Sequence, residues 1–347
     1  MTLVDQQPVT LRSKVITFIK FNIFFALGIL IIWLSLRNLT PSEKDEIVNS
    51  FRVANYSWII LVVVLGIFSH VFRSLRWILF FEPMGYKPSF KNTFYAVMVG
   101  YFANLGIPRL GEVTRCGLMS KYEKIPFNKG FGTVITERAL DMTVFVLLFF
   151  LMILTQIGTI HSYLDKNIYP RMQGKISDSF SNSVLMLGLI IFFVVLIFLF
   201  LIIRKRIRHL KLYLKIKDII IGFWHGLKSL AQIRRPFLFF FYTVCIWGLY
   251  FLMTYFCFYC FPQTSGLTFG AGLSALVLGS IGIMITPGGI GLYPAIIQET
   301  LLLYGISHTT GLALGWISWT AQTFMIIIVG IISLLLLSFN KDRNGKA

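Results

Sequence analysis

Charge is scarce in this 347-residue chain, and acid is scarcest. Only 13% of its residues are Asp, Glu, Lys or Arg, and Asp plus Glu number 14. No hydrophilic stretch is long enough for a separate soluble domain. Four Cys and five His are scattered, whereas a zinc site needs about four convergent ligands. The pair Cys257-x-x-Cys260 lies in an apolar run and reads as packing. A nucleotide loop, a serine nucleophile elbow and a zinc-protease signature are missing, so ATP-driven pumping and hydrolysis are not expected. No cofactor, metal or nucleic-acid partner is implied. No segment alternates with the period of a strand.

What the chain has instead is apolar length. Hydrophobic residues make up 56% of it, with 34 Phe, and several runs reach the roughly 20 residues that cross a bilayer. The fold class is all-α, a polytopic transmembrane helical bundle that forms one integral membrane domain over residues 1–347. The expected spans are 15–36, 57–81, 130–156, 183–203, 237–260 and 309–338. The first lacks a small-residue cleavage site and is too long for a signal-peptide core, so it counts as a span.

The distribution of charge places the ends. The net charge is +18, and Lys and Arg gather in segments 82–129 and 204–235 and in both tails. The alternate loops mix a few basic residues with Glu43, Asp45, Glu46, Asp165 and Asp178. The positive-inside bias then puts both termini in the cytoplasm, which six spans satisfy. Residues 204–235 also interleave Ile207, Leu210, Leu214 and Trp224 with basic residues. That suits an amphipathic helix held by anionic lipids at the cytoplasmic face, or a basic loop that fixes topology.

Two apolar stretches are interrupted in the same way. One reads Asn104-Leu105-Gly106-Ile107-Pro108-Arg109-Leu110-Gly111-Glu112, the other Thr286-Pro287-Gly288-Gly289-Ile290-Gly291. Irregular backbone at membrane depth survives only where protein or a polar cavity shelters it. Residues 93–105 make a helix of about 20 Å at 1.5 Å per residue, too short for a hydrocarbon core of about 30 Å. We therefore expect re-entrant hairpins over 93–120 and 269–303, entering from opposite sides as an inverted repeat, with turns at Pro108 and Pro287. Helix N-termini that face such breaks favour anions, phosphate above all. Eight full crossings by tilted helices would also fit the pattern.

Charged residues inside the apolar runs recur at helical spacing. Arg73 and Arg76 are three apart, as are Arg109, Glu112 and Arg115, and Glu137, Arg138 and Asp141 fall within five residues. Residues three and four apart share a helix face. Ionised side chains in a bilayer cost several kcal/mol unless they are paired or wetted, so these groups mark either an architectural ion-pair network or a substrate path.

The ordered set Arg73-x-x-Arg76-Trp77, Asn104-x3-Pro108-Arg109-x-Gly111-Glu112-x-x-Arg115, Glu137-Arg138-x-x-Asp141 and Pro287-Gly288-Gly289-Ile290-Gly291 resembles the lysylphosphatidylglycerol synthase transmembrane region, a flippase-like membrane family also seen in bacterial inner-membrane proteins. The resemblance runs from about residue 15 to 338. It implies a lipid flippase or a transporter of a lipid-linked molecule in the bacterial inner membrane, not an enzyme. Members that make aminoacylated lipids carry a soluble synthase domain; none is seen up to Ala347, so synthase activity is not expected. The family often has an acidic residue soon after the Pro-Gly-Gly turn. Here that stretch is Gly291-Leu292-Tyr293-Pro294-Ala295, so Glu299, or Tyr293 with the turn backbone, would take its place.

On this reading the lipid headgroup meets Arg73, Arg76, Asn104, Arg109, Arg115, Arg138, Gly288, Gly289 and Glu299. Arginine offers a forked donor that stays charged. Glu112, Glu137 and Asp141 hold the arginines when the site is empty, or titrate to couple proton movement. A membrane-embedded lipid-modifying transferase and a small-solute transporter are the rival functions, and a homo-oligomer is compatible with the sequence. The topology is testable by cysteine labelling. Tyr86→Cys and Lys211→Cys are expected to react only from the cytoplasmic side and Asp165→Cys only from outside. Labelling of Lys121→Cys from outside would favour eight crossings.

Overall fold

The computed structural model describes residues 40–107, 109–167 and 233–344. The expected spans 15–36 and 183–203, residue Pro108, and all but the last three residues of the basic segment 204–235 lie outside the described residues. The described chain is helical, with no strand among the described residues. Its helices are α1 Pro41–Val53, α2 Tyr56–Phe81, α3 Phe90–Gly106, α4 Leu110–Glu123, α5 Phe127–Asn167, α6 Pro236–Cys257, α7 Phe269–Ile285, α8 Leu292–Leu302 and α9 His308–Asn344. Four runs, Tyr56–Met84, Phe127–Thr159, Pro236–Cys260 and His308–Phe339, are long and apolar enough to cross a bilayer. They coincide with the expected spans 57–81, 130–156, 237–260 and 309–338.

Local chemistry sets the helix ends. Asn55 caps α2 by accepting from the Ser57 N–H at 3.1 Å, and Thr268 caps α7 through the Ala271 N–H, each satisfying a donor the helix leaves free. Pro236 opens α6, where its missing N–H costs nothing. The helix α6 packs antiparallel on α2, with Phe239 edge-on to Phe80 and Met253 against Gly66.

The two interrupted stretches fold as tight helix hairpins. In the first, α3 stops at Gly106 and Ile107 is extended. Arg109 then takes a left-handed φ of 67°, uncommon for a residue with a side chain, and α4 begins. Asn104 closes this turn by accepting from the Gly111 N–H at 2.7 Å. A Cβ at Gly111 would run into the Gly100 carbonyl oxygen and the Asn104 amide, so glycine lets α3 and α4 touch backbone to backbone. In the second, Gly279 and Gly282 of α7 lie under Tyr293, Ile296 and Ile297 of α8. Pro287 begins a short 3-10 turn, Pro287–Gly289, and not the returning helix; α8 starts only after Gly291. Positive φ values at Gly288, Gly289 and Gly291 make that detour.

The long α9 aligns both hairpins. Gly311 and Gly315 near its start pack on Gln298 and Pro294 of α8. Gly330, further along, packs on Phe102 and Met98 of α3. Between them, the Trp319 indole N–H donates to the Gly288 carbonyl at 2.7 Å, and a Cβ at Gly288 would lie 3.0 Å from Leu105. The two breaks therefore meet midway along α9, with one hairpin on each half of it. Gly111→Ala is expected to lower thermal stability by about 1–3 kcal/mol through overpacking. Gly117→Ala, on the same helix with open space around it, is expected to be neutral or stabilising. Melting of the two purified variants checks the difference.

Candidate functional site

A cavity of about 1080 Å³ lies where the breaks meet. Its wall includes Asn104, Leu105, Ile107 and Arg109 from the first break and Thr286, Pro287 and Gly288 from the second. Charge enters it from Arg73 of α2, Glu112 of α4 and Arg138 and Asp141 of α5. Apolar and partly exposed Ile283, Met284 and Ile285 of α7 line it too.

Behind this wall is a buried ion network centred on Glu137. The Glu137 side chain is 0% exposed. Its Oε1 accepts from Arg73 at 2.6 Å and from Arg76 at 3.4 Å, and its Oε2 accepts from Arg115 at 2.5 Å. Asp141, one helical turn on, takes Arg73 on Oδ2 at 2.8 Å and Arg76 on Oδ1 at 2.7 Å. The arginines are held from behind as well. Arg73 donates to the Tyr250 hydroxyl at 3.1 Å, Arg76 to Thr243 at 3.4 Å, and the Arg115 guanidinium lies 4.5 Å over the Trp77 ring. The Trp77 indole N–H is fixed by Thr133 at 2.9 Å. The network thus ties α2, α4, α5 and α6 together.

Arg138 behaves differently from its neighbours. It turns away from Asp141 and pairs with Glu112 at 3.0 Å, with its side chain 42% exposed. Arg109 is exposed on the first break and has no carboxylate partner among the described residues. Three arginines against Glu137 and Asp141 leave one positive charge in excess. The Arg138–Glu112 pair is neutral and Arg109 adds a second positive charge. The cavity wall therefore carries net positive charge, which suits an anion.

The structure brings most of the expected residues together and separates a few. Arg73, Asn104, Arg109, Glu112, Arg138, Asp141, Pro287 and Gly288 line the cavity. Arg76, Arg115 and Glu137 sit behind the wall as its support. Gly289 is buried against Ile283 and Tyr293, so Gly288 alone of the glycine pair faces the cavity. Glu299 is exposed on α8, accepts from Gln298, and is not among the lining residues; Tyr293 is. Sequence reasoning missed His70, Tyr101, Trp247, Tyr250, Trp319 and Gln322, which all line the cavity. Aromatic residues carry no contrast in so aromatic a chain; His70 and Gln322, polar within apolar runs, were the available signal.

The family model described as Lysylphosphatidylglycerol synthase TM region matches residues 21–330. A UPF0104 membrane protein of Methanocaldococcus jannaschii is 36% identical over 105 residues, 29% of this chain and 31% of its own length. A UPF0104 membrane protein of Methanothermobacter thermautotrophicus is 26% identical over 144 residues, 41% of each chain. The chain thus spans well under half the length of these two relatives. A second Methanocaldococcus jannaschii UPF0104 membrane protein is 28% identical over 251 residues, 71% of this chain and 98% of its own. These relatives are archaeal; together with the family match, the four membrane-length helices among the described residues make the chain a multi-pass membrane protein. No solved structure matches it at comparable stringency.

Burial separates support from site. Glu137→Gln leaves three buried guanidinium groups short of a counter-charge, and breaking a buried pair costs about 3–5 kcal/mol. It is expected to abolish the folded peak in detergent chromatography after mild heating. Arg138→Ala, at a half-exposed pair worth about 0–1 kcal/mol, is expected to keep that peak.

Proposed function

The chain belongs to the lysylphosphatidylglycerol synthase transmembrane region family, and from that premise we propose that it moves a phosphate-bearing lipid headgroup between leaflets, as a flippase or a transporter of a lipid-linked molecule. The observation that carries this is the cavity itself: a positively charged space at the junction of two helix breaks, with apolar, exposed α7 residues at its edge. A headgroup would enter the charged part while its acyl chains stay in lipid. Arg73, Arg109 and Arg138 would take the phosphate with forked donors. Arg76 and Arg115 would act through Glu137 and Asp141, which hold Arg73 in place.

The hairpins fit a re-entrant reading. At 1.5 Å per residue, α3 and α7, of 17 residues each, reach about 25 Å, short of a hydrocarbon core of about 30 Å. Their placement on opposite halves of α9 supports opposite orientation, and so an inverted repeat with the site between the halves. We read the chain as a non-enzymatic protein of the cell membrane with both termini in the cytoplasm, binding anionic lipids there through its basic loops.

The test is a leaflet assay in proteoliposomes with fluorescently tagged phospholipid and an impermeant quencher. The wild type is expected to move label faster than protein-free vesicles. Losing a hydrogen bond to a charged group costs about 1.5–3 kcal/mol, so Arg138→Ala and Arg109→Lys should slow it by about tenfold or more. Wild-type rates equal to empty vesicles, or unaltered rates in both variants, would overturn the reading.

A further inference from the structure

The cavity is built for more than a phosphate. Its volume, about 1080 Å³, lies just above the range of about 300–1,000 Å³ that encloses drug-sized ligands. Beyond the arginines, its wall changes character. Trp247 and Tyr250 of α6 meet at right angles, with ring centroids 5.9 Å apart and an interplanar angle of 77°. They make an aromatic corner, and Gln322 and Thr323 of α9 line the same cavity. The Tyr250 hydroxyl accepts from Arg73 at 3.1 Å, so the corner adjoins the charged cluster directly.

Four buried polar atoms on the residues that line this cavity lack partners among the described residues: the Trp247 indole N–H, Nδ1 of His70, Nε of Arg73 and Oε2 of Glu112. His70 is 5% exposed and its ring lies tilted by 54° against that of Tyr101, with centroids 4.6 Å apart. Buried polar atoms are nearly always hydrogen-bonded in folded proteins, and a hydroxyl, which can donate and accept, suits the donors and the acceptors among them alike. A ring bearing hydroxyls offers them at its edge and C–H groups on its faces, and the C–H face fits an aromatic corner.

The carboxylates exclude the other common headgroups. Both oxygens of Asp141 are taken by Arg73 and Arg76, and Arg138 matches the Glu112 charge through Oε1, leaving Oε2 without a partner. An ammonium group would meet acids already neutralised and a wall with positive charge in excess, an arrangement that rejects cations.

We propose that the cavity selects phosphodiester lipids whose headgroup is a neutral polyhydroxylated ring, glycosyl or inositol, with the Trp247–Tyr250 corner reading the ring and Arg73 and Arg138 reading the phosphate. This rests on the headgroup reading above and names its substrate class. Lipids with choline or aminoacyl headgroups are disfavoured.

Thermal stabilisation of the purified full chain in detergent tests it, using dioctanoyl phosphatidylinositol, decylphosphoryl glucose, dioctanoyl phosphatidic acid, dioctanoyl phosphatidylcholine and soluble glucose 1-phosphate. At least one ring-bearing lipid is expected to act at about tenfold lower concentration than phosphatidic acid, the equivalent of one or two net hydrogen bonds. The stronger of the two names the source of the ring. Trp247→Leu should remove that advantage, and Trp247→Phe, which keeps a ring and loses the N–H, should remove part of it. Equal action of phosphatidic acid and both ring-bearing lipids, an advantage kept in both Trp247 variants, or equal action of phosphatidylcholine would overturn the proposal and leave headgroup transport standing. Glucose 1-phosphate acting as well as the lipids would overturn its lipid half. No response to any phosphate-bearing lipid would sink the headgroup reading itself.

Discussion

One carboxylate with no access to solvent organises this protein. Glu137 is fully buried and takes three guanidinium groups from two helices, Arg73 and Arg76 from α2 and Arg115 from α4. Burying an ion costs several kcal/mol, and good geometry with further hydrogen bonds is what offsets that cost. Here the offset is assembled from Asp141, Tyr250, Thr243 and the face of Trp77. The network fixes α2, α4, α5 and α6 in one arrangement, and the first helix break is held against the cavity because Arg115 anchors α4. Fold and site share the same atoms.

Helical period explains which parts of this were legible in the sequence. At 3.6 residues per turn, Glu137 and Asp141 lie about 40° apart on α5, and Arg138 lies about 100° from Glu137. The two acids therefore share the face toward α2, while Arg138 points aside and meets Glu112. Spacing alone gave the cluster but not this division, because residues three and four apart both count as neighbours. The same arithmetic removes Glu299. It lies six residues beyond Tyr293 on α8, more than a turn and a half and about 120° around the helix, so it is not on the face that Tyr293 turns to the cavity.

The breaks were legible because Pro and Gly interrupt apolar runs, and the helices stop where those residues stand. The detail of the second turn was not. Proline is often the first residue of a helix in such a pattern, yet Gly288, Gly289 and Gly291 all take positive φ, and the chain spends four more residues after Pro287 before α8 begins. Gly288 is exposed to the cavity by this path and Gly289 is turned against Ile283 and Tyr293. The aromatic wall was hidden for a different reason. Trp247 and Tyr250 sit in a helix of Phe, Leu and Tyr, where periodicity has no contrast, and only the fold shows that both line the cavity and that Tyr250 meets Arg73.

The ion network also bears on how a headgroup could enter and leave. Bare arginines in a dry cavity would repel one another and bind an anion too tightly to release it. With Glu137 and Asp141 locked in place, most of the positive charge is cancelled behind the wall and does not reorganise when the cavity fills. What remains adjustable is the Arg138–Glu112 pair, half-exposed and bridging α5 and α4, together with Arg109 on the turn itself. On the proposed reading, an incoming phosphate would exchange with Glu112 for Arg138, which trades one charged partner of the guanidinium for another. The deep, costly interactions hold the shape, and the shallow, weak ones would be those free to exchange. A protein that must bind a headgroup and let it go needs both at one site.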